Sequence, residues 1–276
     1  RDVLQVLRDV LQVLRDVLEV LWDVLDVLRD VLEVLIGQMG ARTPQVVHRW
    51  AEVLKLFNSR TCQLVLGAGA MQVAGLKSIT AKHLALANQS LTLILGLLPH
   101  IRRALKALLP EARHHLMGNV LDRLSQDYGL HRDEIHSKLL AIMQERLLVH
   151  SRQLPSIVEL WMRDKEDADV EPSDFAKALV KEIGVLQRVL TPLLLQSELY
   201  SIFGRVSTNF NNRLIEAFRK LELSAPVTQR HAYCDGMHIA NCLRSLPRQT
   251  TDGVDSPGAL QEFLHHRFAD AMGDSQ

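Results

Sequence analysis

Residues 175–190 read FAKALVKEIGVLQRVL, and residues 199–221 read LYSIFGRVSTNFNNRLIEAFRKL. In the first, Phe175, Leu179, Ile183, Leu186 and Leu190 recur at steps of three and four; Leu199, Ile202, Val206, Phe210, Leu214 and Leu221 keep the same phase in the second. Residues spaced in this way share one side of a 3.6-residue helix, whereas a half-buried strand would alternate at every second position. Two amphipathic helices are therefore expected here, and the same pattern recurs on both sides of them.

Towards the C-terminus a further helix is expected over about 227–246, stopped by Pro247. Residues 248–276 are polar and carry Gly, Pro and Asp, and read as a mostly disordered tail apart from a short helix around 260–271. Towards the N-terminus, residues 163–174 are charged and interrupted by Pro172, which makes them the best candidate for an internal linker. Before them, Ile135, Leu139, Ile142 and Met143 mark one helix running on to Leu147. Leu116, Val120, Leu121 and Leu124 mark a separate one opened by Pro110. Thr80 is placed to cap a long helix through Leu84, Leu91, Leu98 and Leu105, after a turn at 75–80. Thr43-Pro44 reads as the cap and first turn of another helix that carries Trp50, Leu54 and Phe57. No strand pattern survives, so the fold class is all-α.

Residues 1–35 are five copies of one heptad, Arg1-Asp2-Val3-Leu4-Gln5-Val6-Leu7, with Asp at the second position of every unit and Trp22 replacing one Arg. On a helix the two Val and two Leu positions cover an arc of about 160°, wider than a two-position coiled-coil seam. Up to residue 40 there are 4 basic and 8 acidic residues. An interfacial helix normally carries Lys and Arg on its polar face, so this charge disfavours anionic lipid. A low-complexity helical expansion, helix–helix association and lipid contact are the three readings of the segment. Residues 1–36 form a heptad-repeat amphipathic helix on any of them, and 41–247 the main helical bundle.

The composition excludes several functions. The chain has 276 residues, 32 Lys+Arg against 32 Asp+Glu, 49 Leu and only 3 Cys. That balance is wrong for a strongly basic nucleic-acid binder, so no nucleic-acid partner is expected. Three cysteines cannot build a disulfide scaffold and fit a reducing compartment. The longest apolar runs, near 64–71 and 91–99, fall far short of the ~18–20 residues that cross a bilayer, so no span is expected. An opening Arg1 in place of Met is what a fragment shows, and the lack of a targeting signal then carries no information.

Four constellations bear on chemistry. Gly67-Ala68-Gly69-Ala70-Met71-Gln72 resembles a dinucleotide fingerprint, but Gln72 occupies the third glycine position. No acid stands between Glu52 and Glu111 to bind a ribose. Small residues at Gly67, Ala70 and Ala74 are read instead as admitting a neighbouring helix. His231, Cys234, His238 and Cys242 share one helix face, yet they extend over more than ~15 Å, so one ion could reach only two of them. They read as a polar flank, with Tyr233, Met237, Ile239, Ala240, Leu243 and Leu246 as the core side. No nucleophile, general base and oxyanion arrangement is discernible, so neither a catalytic residue nor a cofactor or metal is assigned and the chain does not read as an enzyme. Finally, residues 53–110 hold seven cations and no acid, a local +7, between acidic flanks of −4 at both 1–40 and 159–182. Lys77, Lys82, Arg102, Arg103 and Lys106 are the candidate basic surface for an anionic membrane or an acidic partner.

Asn58-Ser59-Arg60-Thr61-Cys62-Gln63-Leu64-Val65-Leu66-Gly67-Ala68-Gly69-Ala70, with Gly75-Leu76-Lys77-Ser78-Ile79-Thr80, closely resembles the C-terminal region of the vacuolar protein sorting-associated protein 54 family. Lys181-Glu182-Ile183-Gly184-Val185-Leu186, Ile202-Phe203-Gly204-Arg205-Val206 and Cys242-Leu243-Arg244-Ser245-Leu246-Pro247 look like its plant members. The resemblance covers about 54–247; residues 1–35 and those after Pro247 do not resemble the family. It implies an elongated, stacked helical bundle of the helical-rod tethering type. It also implies a subunit of the Golgi-associated retrograde protein (GARP) complex, which tethers endosome-derived vesicles at the trans-Golgi network. The implied partners are the other subunits of that complex, SNARE proteins and the endosomal or Golgi membrane surface. The implied location is peripheral, on the cytosolic face of those membranes. A rod subunit of another tethering complex and an amphipathic-helix lipid-binding protein are the alternatives.

Overall fold

The computed structural model describes residues 43–67, 78–108, 111–163, 170–248 and 258–273. Among these, eight α-helices and no strand are found: α1 (Thr43–Val65), α2 (Ala81–Leu108), α3 (Glu111–Ser151), α4 (Leu154–Trp161), α5 (Asp174–Leu190), α6 (Gln196–Arg219), α7 (Pro226–Arg244) and α8 (Ala259–Gly273). The all-α reading holds. The heptads at 1–35 lie outside the described residues.

The chain divides into two compact units, Arg1–Lys138 and Leu139–Gln276. The division falls inside α3 and not at 163–174, where composition alone puts a linker. Residues 164–169 of that stretch lie outside the description. Its last residues are held: Cys234 donates to the Val170 carbonyl, and Ser173 is bonded to Asp235.

In the first unit α1 and α2 pack together. Trp50, Leu54, Phe57 and Val65 of α1 and Leu84, Leu91, Ile94 and Leu98 of α2 are buried, each set in the helical phase that puts it on one stripe. Burying a large apolar side chain contributes about 1.5–3 kcal/mol, so these stripes outweigh the loss of helix propensity at Pro99, which stands exposed within α2. Thr80 caps α2 as expected. Its Oγ1 accepts from the His83 backbone N–H at 3.4 Å, while His83 Nδ1 accepts from the Thr80 N–H at 3.2 Å. His83 thus fills the position that Glu or Gln takes in a capping box.

The two helices expected at 110–124 and 135–147 are one helix, α3. Tyr128 explains the difference. Its ring is buried and stacked on Phe57 with 6.4 Å between centroids, and its hydroxyl donates to the Leu54 carbonyl at 2.8 Å. That contact outweighs the roughly 1 kcal/mol that Gly129 costs inside a helix.

In the second unit α7 is the centre: α4, α5, α6 and α8 all pack on it. Four of the chain's seven phenylalanines, Phe175, Phe203, Phe210 and Phe218, lie buried on α5 and α6. The helix expected within 248–276 is α8, and it is no appendage. Leu260, Leu264 and Phe268 are buried, and Arg267 donates to the Phe218 and Leu221 carbonyls at 2.7 and 2.9 Å. The Leu221 carbonyl lies just past the end of α6, and the Phe218 carbonyl in its last turn also accepts from the Leu221 N–H at 3.2 Å. Helix α4 has no counterpart in the sequence reading; Leu154, Val158 and Trp161 form its buried stripe.

Candidate functional site

The expected basic surface is only partly assembled by the fold. Arg102, Arg103 and Lys106 fall within an arc of about 100° near the end of α2, whereas Lys82 lies about 30 Å away along the axis at 1.5 Å per residue. Lys77 is outside the described residues. Lys106 occupies the last turn, where its charge complements the negative end of the helix dipole. The Arg103 guanidinium donates to His100 Nδ1 at 2.7 Å and remains exposed. Arg113 adds an exposed cation soon after the start of α3.

Arg102 behaves differently. It is paired with Asp122 of α3 and is thereby largely neutralised. A charge count over 53–110 cannot see this, because the compensating acid returns from the next helix. The cationic end is therefore Arg103 and Lys106, with Arg113 following, and no deep pocket is needed to explain it. Long, exposed cations of this kind attract anionic groups over about a Debye length and release them in salt.

Helix α2 also corrects the reading of apolar runs. Residues Ala81–Ala107 form a helix long and apolar enough to cross a membrane, with an 18-residue window of mean hydropathy 1.4. Interspersed Gly, Gln and Pro shorten the continuous runs without lowering the average enough. The inward stripe from Leu84 to Leu105 is buried in the first unit, and a core helix meets the same criterion.

The remaining candidates resolve into structural roles. Leu66 and Gly67 N–H both donate to the Cys62 carbonyl, at 2.8 and 3.2 Å. Gly67 thus follows the C-terminus of a helix, while a pyrophosphate site needs the N-terminus of one. Ala70 and Ala74 lie outside the described residues. On α7 and just past it, the expected division into polar flank and core side holds for Ile239, Ala240, Leu243 and Leu246, which are buried, and for Cys234, His238 and Cys242, which are half-buried, but not throughout. His231 and Asp235 are buried, whereas Tyr233 and Met237 are only half-buried. The buried stripe of α7 carries polar residues beside apolar ones, so hydropathy does not mark all of it.

His231 stacks on Trp161 with 5.7 Å between centroids. The Asp235 carboxylate accepts from the Ser173 N–H at 2.6 Å and from its hydroxyl at 2.5 Å, tying the start of α5 to α7. Burial pushes the Asp235 carboxyl above the usual carboxylate range, and the two Ser173 bonds pull in the opposite direction. Burial also raises the thiols of Cys62, Cys234 and Cys242, all three of them free. They are protonated and poor nucleophiles near neutrality. Among the described residues no three His, Cys, Asp or Glu side chains come together as a metal site. Two grooves are open within single units. One of 370 Å³ runs between α1 and α3 past Asn58, Cys62 and His131, and one of 670 Å³ passes Leu148, Pro155, Arg213 and Leu221.

Residues 16–146 match the family described as Vps54-like protein. The match starts inside the heptads, which motif comparison places outside the resemblance; a repeat built of Val, Leu and Asp offers few distinctive residues to compare. The chain is 42% identical over 230 residues to vacuolar protein sorting-associated protein 54, chloroplastic, of Arabidopsis thaliana, covering 83% of this chain and 22% of that protein. It is 30% identical over 217 residues to the Drosophila melanogaster protein 54, covering 77% and 20%, and 34% identical over 172 residues to the human one, covering 62% and 16%. The chain thus spans about a fifth of the length of the curated relatives it matches. No solved structure matches it. Over the residues it shares with these proteins, the chain belongs to the Vps54-like family.

Proposed function

We propose that this chain is a non-catalytic part of a vesicle-tethering complex, the Golgi-associated retrograde protein complex, acting in transport from endosomes to the trans-Golgi network. The observation that carries the reading is the 42% identity to the plant protein over 83% of this chain. The fold supports it: helices packed through apolar stripes, with thiols and the buried carboxylate engaged in packing, offer surfaces for assembly. On this reading the partners are the complex's other subunits, with SNARE proteins reached through parts of the relatives that this chain does not span. The setting is the cytosolic face of the trans-Golgi network and endosomes. Lys77, Lys82, Arg102, Arg103 and Lys106 remain the proposed contact for an anionic membrane or an acidic partner. Arg103 and Lys106 are its effective members, because Arg102 is paired and Lys82 is distant.

A chimera tests it. The matched segment of the Arabidopsis thaliana relative is replaced by this chain in cells lacking the native protein, and cargo returning from endosomes is followed. Restored delivery to the trans-Golgi network is expected; cargo left in endosomes, with the chimera stably expressed, contradicts the reading.

A further inference from the structure

The side of α2 turned away from its buried stripe has no partner among the described residues. Leu93 is 50% exposed and Leu97 38%, and a Cβ placed on Gly96 between them would meet nothing within 4 Å. His100, Ala104 and Ala107 continue the same face, also exposed. A glycine in mid-helix costs about 1 kcal/mol relative to alanine, and nothing described makes use of its small size. Helix α2 itself contains no acid, and Lys82, Arg103 and Lys106 are exposed on it.

One segment of the chain has the complementary character. Residues 1–35 space Val and Leu over a wide apolar arc, and Asp2, Asp9, Asp16, Asp23 and Asp30 fall within about 40° of its edge. Residues 1–40 carry net −4. As a helix, 35 residues would reach about 52 Å, more than the roughly 40 Å of α2. The seven residues 36–42 can extend over about 24 Å, enough to lead from the start of α1 round a helix some 10 Å across. The Vps54-like match runs from residue 16, so the last three heptads, all but Arg15, fall with α2 in one matched region.

We propose that the acidic heptad segment, residues 1–35, docks in cis on the outward face of α2, setting its Val/Leu arc against Leu93, Gly96 and Leu97. The docking does not depend on the trafficking role. It places the chain's most acidic repeat against its most basic helix and removes from water an apolar arc that a lone helix leaves exposed.

The test uses the full chain with a photoreactive benzoylphenylalanine at position 93 or 97. After irradiation, the monomeric product should yield cross-links to peptides from residues 1–35; the same group at exposed position 148 in the second unit should yield none. Cross-links to other segments, to a second copy in a dimeric product, to added phosphatidylserine-containing vesicles, or none at all, would overturn the proposal. In parallel, the full-chain variant carrying Leu93→Asp and Leu97→Asp, both outside the core, should speed amide exchange within residues 1–35 at least tenfold and leave α1 and α3 protected. Unchanged exchange in 1–35 would also overturn it.

Discussion

Asp235 carries a carboxylate that is 1% exposed and whose two hydrogen bonds both come from Ser173. Burial raises its proton affinity in the folded chain above that of the unfolded one. Folded chains then bind more protons in the window just above the ordinary carboxylate value, so this group's contribution to stability falls as pH rises through that window. Asp235→Asn cannot ionise. The unfolding free energy of the wild type minus that of the variant should therefore decline between about pH 4 and pH 7 in urea titrations. A difference that grows with pH would contradict this account of Asp235. Tyr128 makes a second residue-scale case. Tyr128→Phe keeps the ring on Phe57 but loses the bond to the Leu54 carbonyl, which should cost about 0.5–1.5 kcal/mol by denaturant unfolding. A cost above about 3 kcal/mol would mean that the hydroxyl does more than close this bond.

Between elements, α7 and α8 approach closely at Gly236. A Cβ on Gly236 would lie 2.5 Å from the Leu264 Cδ1 atom, and both residues are buried. Gly236→Val should destabilise the second unit by about 1–3 kcal/mol through overpacking. Combining it with Leu264→Ala should give less than the sum of the two single costs, because the smaller side chain vacates the same space. Strict additivity would show that the contact is not the cause. How much of this was legible in the sequence depended on how apolar the buried side of an element is. α5 and α6 each bury one stripe, and their apolar residues fall in helical steps. α7 places Asp235, Gly236 and His231 on its buried stripe among Ala232, Ile239 and Leu243, so part of that stripe looks like surface by hydropathy alone. α3 was split where Gly129 and the polar run around it stand, although Tyr128 lies seven residues before Ile135 and keeps the phase. α4 is too short, at eight residues, to establish a period. The buried role of α8 depends on contacts to α6 and α7 that no local pattern encodes.

Over the whole molecule, the zero net charge is a cancellation of a basic segment by acidic ones. The basic candidates were legible as a count; their grouping was not, because the Arg102–Asp122 pair and the separation of Lys82 are tertiary facts. If the cationic end of α2 meets anionic membranes, Arg103→Glu with Lys106→Glu should weaken binding to phosphatidylserine vesicles by about thirtyfold or more at low salt, each of the two lost cations being worth about 1 kcal/mol. Lys82→Glu alone should change it little. An equal loss from Lys82→Glu would point to a diffuse field and not to a localised surface. The central claim is assembly, and it is most directly tested by purifying the tagged chain from cells under native conditions and weighing what accompanies it. The account predicts the other subunits of the retrograde tethering complex in amounts comparable to the chain itself. Recovery of the folded chain without them, or with the subunits of a different tethering complex in their place, would contradict it.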